Sequence, residues 1–219
     1  MIIALEGIDG SGKGTQTVET ANLLRSRGFK VETLAFPTYN RGLFAQEVQS
    51  YLNGAYGNLN SIPPKLIALL YAGNRLEMKE EIIEKSTASD FLIIDRYVYS
   101  NAAHQGVKLN GRNERGEFVR WLEQLEFSIY GLPRADLNIL LDITPLASFE
   151  NVAKKDPRDY TTSSHDLHES NSEYLYDVSR LYHDIAVSGK WPIIRVTEGR
   201  KMRPVDDITL EILSYIFDH

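Results

Sequence analysis

A three-layer α/β fold, with five parallel strands alternating with helices, is what this sequence predicts, and three observations predict it. Five short strand-like segments recur along the chain, at residues 2–5, 30–36, 91–95, 137–143 and 191–196, with apolar runs at 2–5 and 91–94, the lengths of strands buried in a parallel sheet. Segments with apolar residues at helical spacing separate them. The first run leads through a glycine-rich turn directly into the first such segment, which is the order of a βα unit whose turn lies at the carboxyl edge of the sheet.

Bulk composition narrows the class. At 219 residues the chain is long enough for one well-buried core, so residues 1–219 read as a single domain. With 42% hydrophobic and 25% charged residues it has ordinary globular usage, and no apolar run approaches the ~18 residues that would span a bilayer. The net charge of −6 argues against a broad nucleic-acid surface. Phosphate would have to be held by a few converging cations, and the expected ligand is a small nucleotide. Met1 opens straight into the first run and the chain contains no cysteine, so the expectation is a cytoplasmic protein with no leader peptide and no disulfide framework.

The first run, Ile2-Ile3-Ala4-Leu5, is followed by Gly7-Ile8-Asp9-Gly10-Ser11-Gly12-Lys13-Gly14-Thr15. Glycines let the backbone turn tightly and aim successive N–H groups at phosphate oxygens, and Lys13 adds a full positive charge. The following helix points its positive end at the same oxygens, and the Thr15 hydroxyl can assist a magnesium ion that bridges two phosphates. Read blandly, the same residues are a glycine-rich turn with a surface lysine.

Residues 17–27 form the first helix, which Gly28 stops. The strand at 30–36 ends in Phe36-Pro37-Thr38-Tyr39, which leaves aromatic rings where ligands of open parallel sheets collect; such rings also serve as core plugs. Residues 42–52 are amphipathic and 55–62 a loop. Pro63-Pro64 opens one long helix running to about residue 85. Within it Tyr71 and Arg75 share a face, either toward a ligand or, for a lone arginine, toward solvent. The run 91–95 ends in Asp95, which can reach magnesium through water, and Arg96 beside it can grip phosphate in a bidentate way; alternatively the two form a structural ion pair. Tyr97, Ser100, Asn101, His104 and Gln105 place polar groups on the helix that follows. Residues 110–116 read as a polar turn and 118–130 as a helix closed by Gly131 and Pro133. The strand at 137–143 carries Asp142 near its end, and Pro145 begins a helix that decays into a polar, charged stretch at 154–164. A mobile lid carrying cations is the functional reading of that stretch, and a plain surface loop the other. Residues 191–196 and 205–217 make the last strand and helix.

In order and spacing these motifs resemble the thymidylate kinases, a branch of the nucleoside monophosphate kinases. The resemblance rests on Gly7 to Thr15, Phe36-Pro37 with Tyr39, Arg75, Asp95-Arg96-Tyr97 with Ser100 and Gln105, and Gly131-Leu132-Pro133-Arg134-Ala135-Asp136 leading to Leu141-Asp142, and so spans nearly the whole chain. It implies a three-layer P-loop kinase fold with a short lid at about 154–169, and in-line transfer of the γ-phosphoryl group of ATP to dTMP. Lys13 and the loop residues Gly7, Gly10, Ser11, Gly12 and Gly14 would hold the ATP phosphates. Magnesium would be met by Asp9, Thr15, Asp95 and Glu169. Asp9, Lys13, Arg96 and Arg158 would be the catalytic set, with Arg96 close to the transferring group. Tyr71 matches the ring that stacks on thymine, Asn101 and Gln105 fall near the base, and Tyr39 and His104 near the deoxyribose. Phe36, Pro37, Arg75 and Ser100 complete the acceptor site, and a homodimer is implied. Gly10 stands where some members carry a loop arginine, so the lid must supply that charge through Arg158. Where many members have Asp-Arg-x-Glu, this chain has Asp166-Leu167-His168-Glu169, and His104 replaces a common tyrosine.

Two other readings stay open on sequence. Gly12-Lys13-Gly14-Thr15-Gln16 also looks like the adenylate kinase loop, which leaves another monophosphate (dUMP, UMP, CMP or AMP) as acceptor. A nucleotide-binding module without transfer activity is a second class, although the chain shows no Asn-Lys-x-Asp guanine signature. The turn Glu198-Gly199-Arg200 is the expected wall of an adenine pocket.

Overall fold

The computed structural model describes residues 1–39, 41–57, 62–152 and 172–219. Its sheet has five parallel strands in the order β2-β3-β1-β4-β5: β1 Ile2–Glu6, β2 Val31–Ala35, β3 Phe91–Asp95, β4 Leu137–Asp142 and β5 Ile193–Arg195. The central strand, β1, is buried along its whole length, as a strand covered on both faces must be. Registers such as Leu5 opposite Asp95 and Glu6 opposite Leu140 bring the ends of β1, β3 and β4 to one edge. That edge is where the chain, having gone from β1 out to β2 and back to β3, crosses to β4 on the other side. A crevice opens at such a switch point.

Nine helices are described: α1 Lys13–Ser26, α2 Leu43–Leu52, α3 Pro64–Glu77, α4 Lys79–Ala88, α5 Val98–Gly106, α6 Gly111–Glu123, α7 Pro145–Val152, α8 Ser172–Gly189 and α9 Val205–Asp218. Helix α1 packs on α9, β2 and β3, while α5 packs on α3, α6 and α8. Two short strands, β6 Thr197–Glu198 and β7 Lys201–Met202, form an antiparallel hairpin after β5. No helix among the described residues is long and apolar enough to cross a membrane.

Four local expectations change. The first helix begins at Lys13 rather than residue 17, because Gly12 adopts the left-handed conformation that starts it inside the loop. The expected single helix over 63–85 is two, α3 and α4, with the break at Met78. The expected polar turn at 110–116 is largely the first part of α6. The helix expected to run to residue 130 changes pitch at Glu123 and continues as a π-helical segment, Gln124–Ile129.

Candidate active site

The phosphate loop is built by close approach. Gly10 has φ of 76°, and a Cβ there would stand 2.6 Å from the Ser148 carbonyl oxygen; only glycine fits. Helix α7 backs the loop from behind: Ser148 Oγ donates to the Asp9 carbonyl at 2.5 Å and Asn151 Nδ2 to the Gly10 carbonyl at 3.0 Å. Lys13 folds over the loop and donates to the Ile8 carbonyl at 2.9 Å and to Ser11 Oγ at 3.3 Å. Burial pushes its pKa down to about 7, with the Arg96 charge adding to the effect and Asp95, Asp9 and Glu6 opposing it.

Arg96 is held more firmly than any other cation near the loop. Its backbone sits at φ 65°, an uncommon conformation for a non-glycine residue. Nη2 donates to Asp9 Oδ1 at 2.7 Å, and Nη1 to the Gly7 carbonyl at 3.1 Å and Ser100 Oγ at 3.2 Å. Nη1 also lies 3.4 Å from His104 Nε2. Burial opposes the charge, but Asp9 and then the other anionic groups around it hold its pKa well above the ordinary arginine value. The ion pair is therefore Arg96 with Asp9, and Asp95 is not its partner. Asp95 Oδ1 is buried with no hydrogen-bond partner.

Beneath Arg96 lies a polar cluster that the sequence did not reveal. Glu6, the last residue of β1, is fully buried, and accepts hydrogen bonds from Tyr97 N at 2.9 Å, Ser100 Oγ at 2.8 Å and Tyr182 OH at 3.2 Å. Burial raises its pKa despite those bonds and the nearby Arg96 and Lys13. Tyr174 OH donates to the His104 carbonyl at 2.9 Å, so α8 reaches this cluster at two points, Tyr174 and Tyr182.

The far end of the cavity is also wired by buried charge. Arg75 is 2% exposed and pairs side-on with Glu126, Nε to Oε2 at 2.5 Å and Nη2 to Oε1 at 2.6 Å. Glu126, which lies in the π-helical segment, is fully buried as well. Burial works against the Arg75 charge and Glu126 restores it, leaving its pKa raised. The solvated-cation reading of Arg75 is thus overturned. Asn101 Nδ2 donates to the Ala68 carbonyl at 2.9 Å, while its Oδ1 is buried without a partner. Because a carbonyl only accepts, the amide orientation is fixed, with the nitrogen on Ala68 and the oxygen left without a partner.

One cavity of about 300 Å³ joins these parts. Of the expected phosphate-loop residues, Asp9, Gly10, Gly12, Lys13 and Gly14 line it. Of the expected acceptor residues, Phe36, Pro37, Tyr39, Tyr71, Arg75, Arg96, Ser100, Asn101, His104 and Gln105 do, together with Asp95. Gly7, Ser11 and Thr15 are not in its lining: Gly7 packs against the Leu141 carbonyl, Ser11 is buried beneath Lys13, and Thr15 is exposed at the start of α1. Ala35 and Leu52 line the cavity unforeseen. Arg158, Glu169 and the expected lid at 154–169 lie outside the described residues. The hairpin stands beside the loop, with Met202 Cε 3.8 Å from where a Cβ of Gly12 would be. Among the described residues no group of three metal-ligating side chains occurs.

Comparison with known proteins agrees with this arrangement. The family model described as Thymidylate kinase matches residues 5–205. A thymidylate kinase from Mycobacterium tuberculosis is 32% identical over 197 residues, covering 89% of this chain and 91% of that protein. One from Arabidopsis thaliana is 31% identical over 217 residues, covering 99% and 71% respectively. Among solved structures, a thymidylate kinase from Candida albicans superposes with a TM-score of 0.71 at 22% identity, covering 99% of this chain and 91% of its own, which supports the fold. With a family model matched over most of its length and relatives of this breadth of similarity, the chain belongs to the thymidylate kinase family.

Proposed function

We propose that this protein transfers the γ-phosphoryl group of ATP to dTMP, giving dTDP and ADP. The observation that carries the choice of acceptor is the unpartnered Asn101 carbonyl oxygen, in the same cavity as the Arg75 guanidinium. An acceptor beside a donor matches an N–H flanked by a carbonyl, an edge that thymine shares with uracil and guanine, so the contact selects against cytosine and adenine and the choice of thymine rests on the family. Cytosine and adenine present a bare ring nitrogen there, which would leave two acceptors facing each other and cost about 1–3 kcal/mol. The names of the family's members support the same acceptor.

The residues divide the work by position. Lys13 and the loop amides neutralise the ATP phosphates, and the Asp9-braced guanidinium of Arg96 faces the transferring group as its charge spreads. Transfer is in line between the two bound nucleotides, by positioning and charge neutralisation, with no covalent enzyme intermediate. Tyr71 stacks on the base, Phe36 and Pro37 wall it, and Tyr39, Ser100 and His104 surround the sugar and phosphate. Met202 and the hairpin turn bound the adenine side. Arg158 is assigned as a further cation by resemblance alone.

Magnesium fits this site. The free Asp95 oxygen is an anionic group in search of a partner, and Asp9 and Thr15 flank the same loop. Asp95, with Asp9 and Thr15, would help hold the ion, whose chemistry there would be to neutralise phosphate charge. We further propose a homodimer, for which exposed Leu66 on α3 and Ile129 on the adjoining π-helical segment are available, and a cytoplasmic location for this cysteine-free chain.

An ADP-release assay with ATP and magnesium, run separately against dTMP, dUMP, UMP, CMP, GMP and AMP, tests the reading. The expected result is highest kcat/KM with dTMP, and CMP and AMP lower by about 10-fold to 100-fold. A preference for CMP or AMP would overturn the assignment of Asn101 and Arg75.

A further inference from the structure

Lys108, one turn beyond Gln105 at the end of α5, has no carboxylate partner among the described residues. Its Nζ donates to Tyr51 OH at 2.7 Å and to Gln105 Oε1 at 2.8 Å, and lies 5.3 Å from the centre of the Tyr51 ring. Tyr51, on α2, and Gln105 are both buried at about 1% exposure. Burial alone brings the lysine's pKa down to about 8, so holding a cation here costs free energy that no anion offsets. A structural plug would be better served by an apolar side chain.

An ammonium group only donates. Gln105 must therefore turn its oxygen to Lys108 and its Nε2 away from it, and Nε2 has no hydrogen-bond partner among the described residues. Gln105 lines the acceptor cavity. Asn101, one turn earlier on α5, is fixed the opposite way by the Ala68 carbonyl. Both residues line the cavity, and their amides are held in opposite senses, Asn101 bonded through its nitrogen and Gln105 through its oxygen.

We propose that Lys108 is a positioning residue for substrate selection: by fixing the Gln105 amide it presents an N–H donor to a carbonyl of the acceptor nucleotide, without touching that nucleotide. With Arg75 and Asn101, this gives donor, acceptor and donor, the complement of the carbonyl, N–H and carbonyl of an imide base. The inference rests on the dTMP reading above and adds to it the residue that sets the orientation of one of its contacts.

The test is steady-state kinetics of Lys108→Met, Lys108→Arg, Gln105→Leu and the double variant Lys108→Met with Gln105→Leu. Lys108→Met removes a costly charge and retains the apolar stem, so the fold should survive, as a thermal melt will show. The expected result is a KM for dTMP raised roughly tenfold, the scale of one hydrogen bond, with kcat and the KM for ATP within about twofold. Lys108→Arg, which also only donates, should restore the dTMP KM, and Lys108→Met should add little in the Gln105→Leu background. An unchanged dTMP KM in Lys108→Met, full additivity in the double variant, or kcat and both KM values moving together would overturn the proposal. If the unaltered enzyme does not use dTMP at all, it is the acceptor reading that fails, and with it the premise of this one.

Discussion

The arginine next to an acid turns out to be paired with a different acid, which shows what single residues reveal. Adjacent residues at a strand end project in different directions, so Asp95 and Arg96 separate, and Arg96 instead closes on Asp9 from the phosphate loop at 2.7 Å. The sequence made both residues candidates but gave no sign of that partnership, which depends on β1 and β3 lying side by side. Replacing Arg96 with alanine should lower kcat by about 10²-fold or more while changing the KM for ATP far less; near-normal turnover would remove Arg96 from the reaction. Lys13 makes a second prediction. Its free-enzyme pKa of about 7 means that the lysine is mostly neutral at pH 8, whereas bound triphosphate favours the charged form. ATP binding should then take up close to one proton at about pH 8, and affinity should fall as pH rises from 7 toward 9. Calorimetry in buffers of different ionisation enthalpy measures that uptake, and zero uptake at pH 8 would contradict it.

At the scale of elements, the strands were legible as short segments bounded by turn residues, while two of the four helical features that changed, the start of α6 and the π-helical segment, had no apolar pattern to show them. Helix α6 opens on Gly111-Arg112-Asn113-Glu114-Arg115 and buries only Phe118 and Leu122, so its first turns carry no apolar period to read. The π-helical segment has no sequence signature at all, although its widened turn is what seats Glu126 on Arg75. Removing Glu126 alone, as in Glu126→Ala, leaves a buried guanidinium uncompensated and should lower stability by about 3–5 kcal/mol. The pair Arg75→Met with Glu126→Leu should recover most of that loss in a denaturation experiment while dTMP binding stays weak. Helix α7 gives a parallel case. Gly10→Ala would bring a Cβ against the Ser148 carbonyl at a φ of 76°, with a strain of about 1–3 kcal/mol; the KM for ATP should rise more than the KM for dTMP.

For the whole molecule, one glycine-rich turn and five strand-like segments were enough to read the sheet, the crevice and the phosphate loop. The cavity was legible in its lining, since Tyr71, Arg75, Asn101 and Gln105, from two helices, all line it. What holds the lining was hidden, because Glu6, Glu126 and Tyr182 act from buried positions set by strand order and helix packing rather than by local pattern. Glu6 follows an apolar run and carries no local mark of the burial that the sheet gives it. The central claim is direct transfer between two nucleotides held in one cavity. Its most direct measurement follows the label of [γ-³²P]ATP with dTMP, magnesium and enzyme. The account predicts label in dTDP, little in inorganic phosphate and none on the protein; label released chiefly as inorganic phosphate, or retained on the protein, would contradict it.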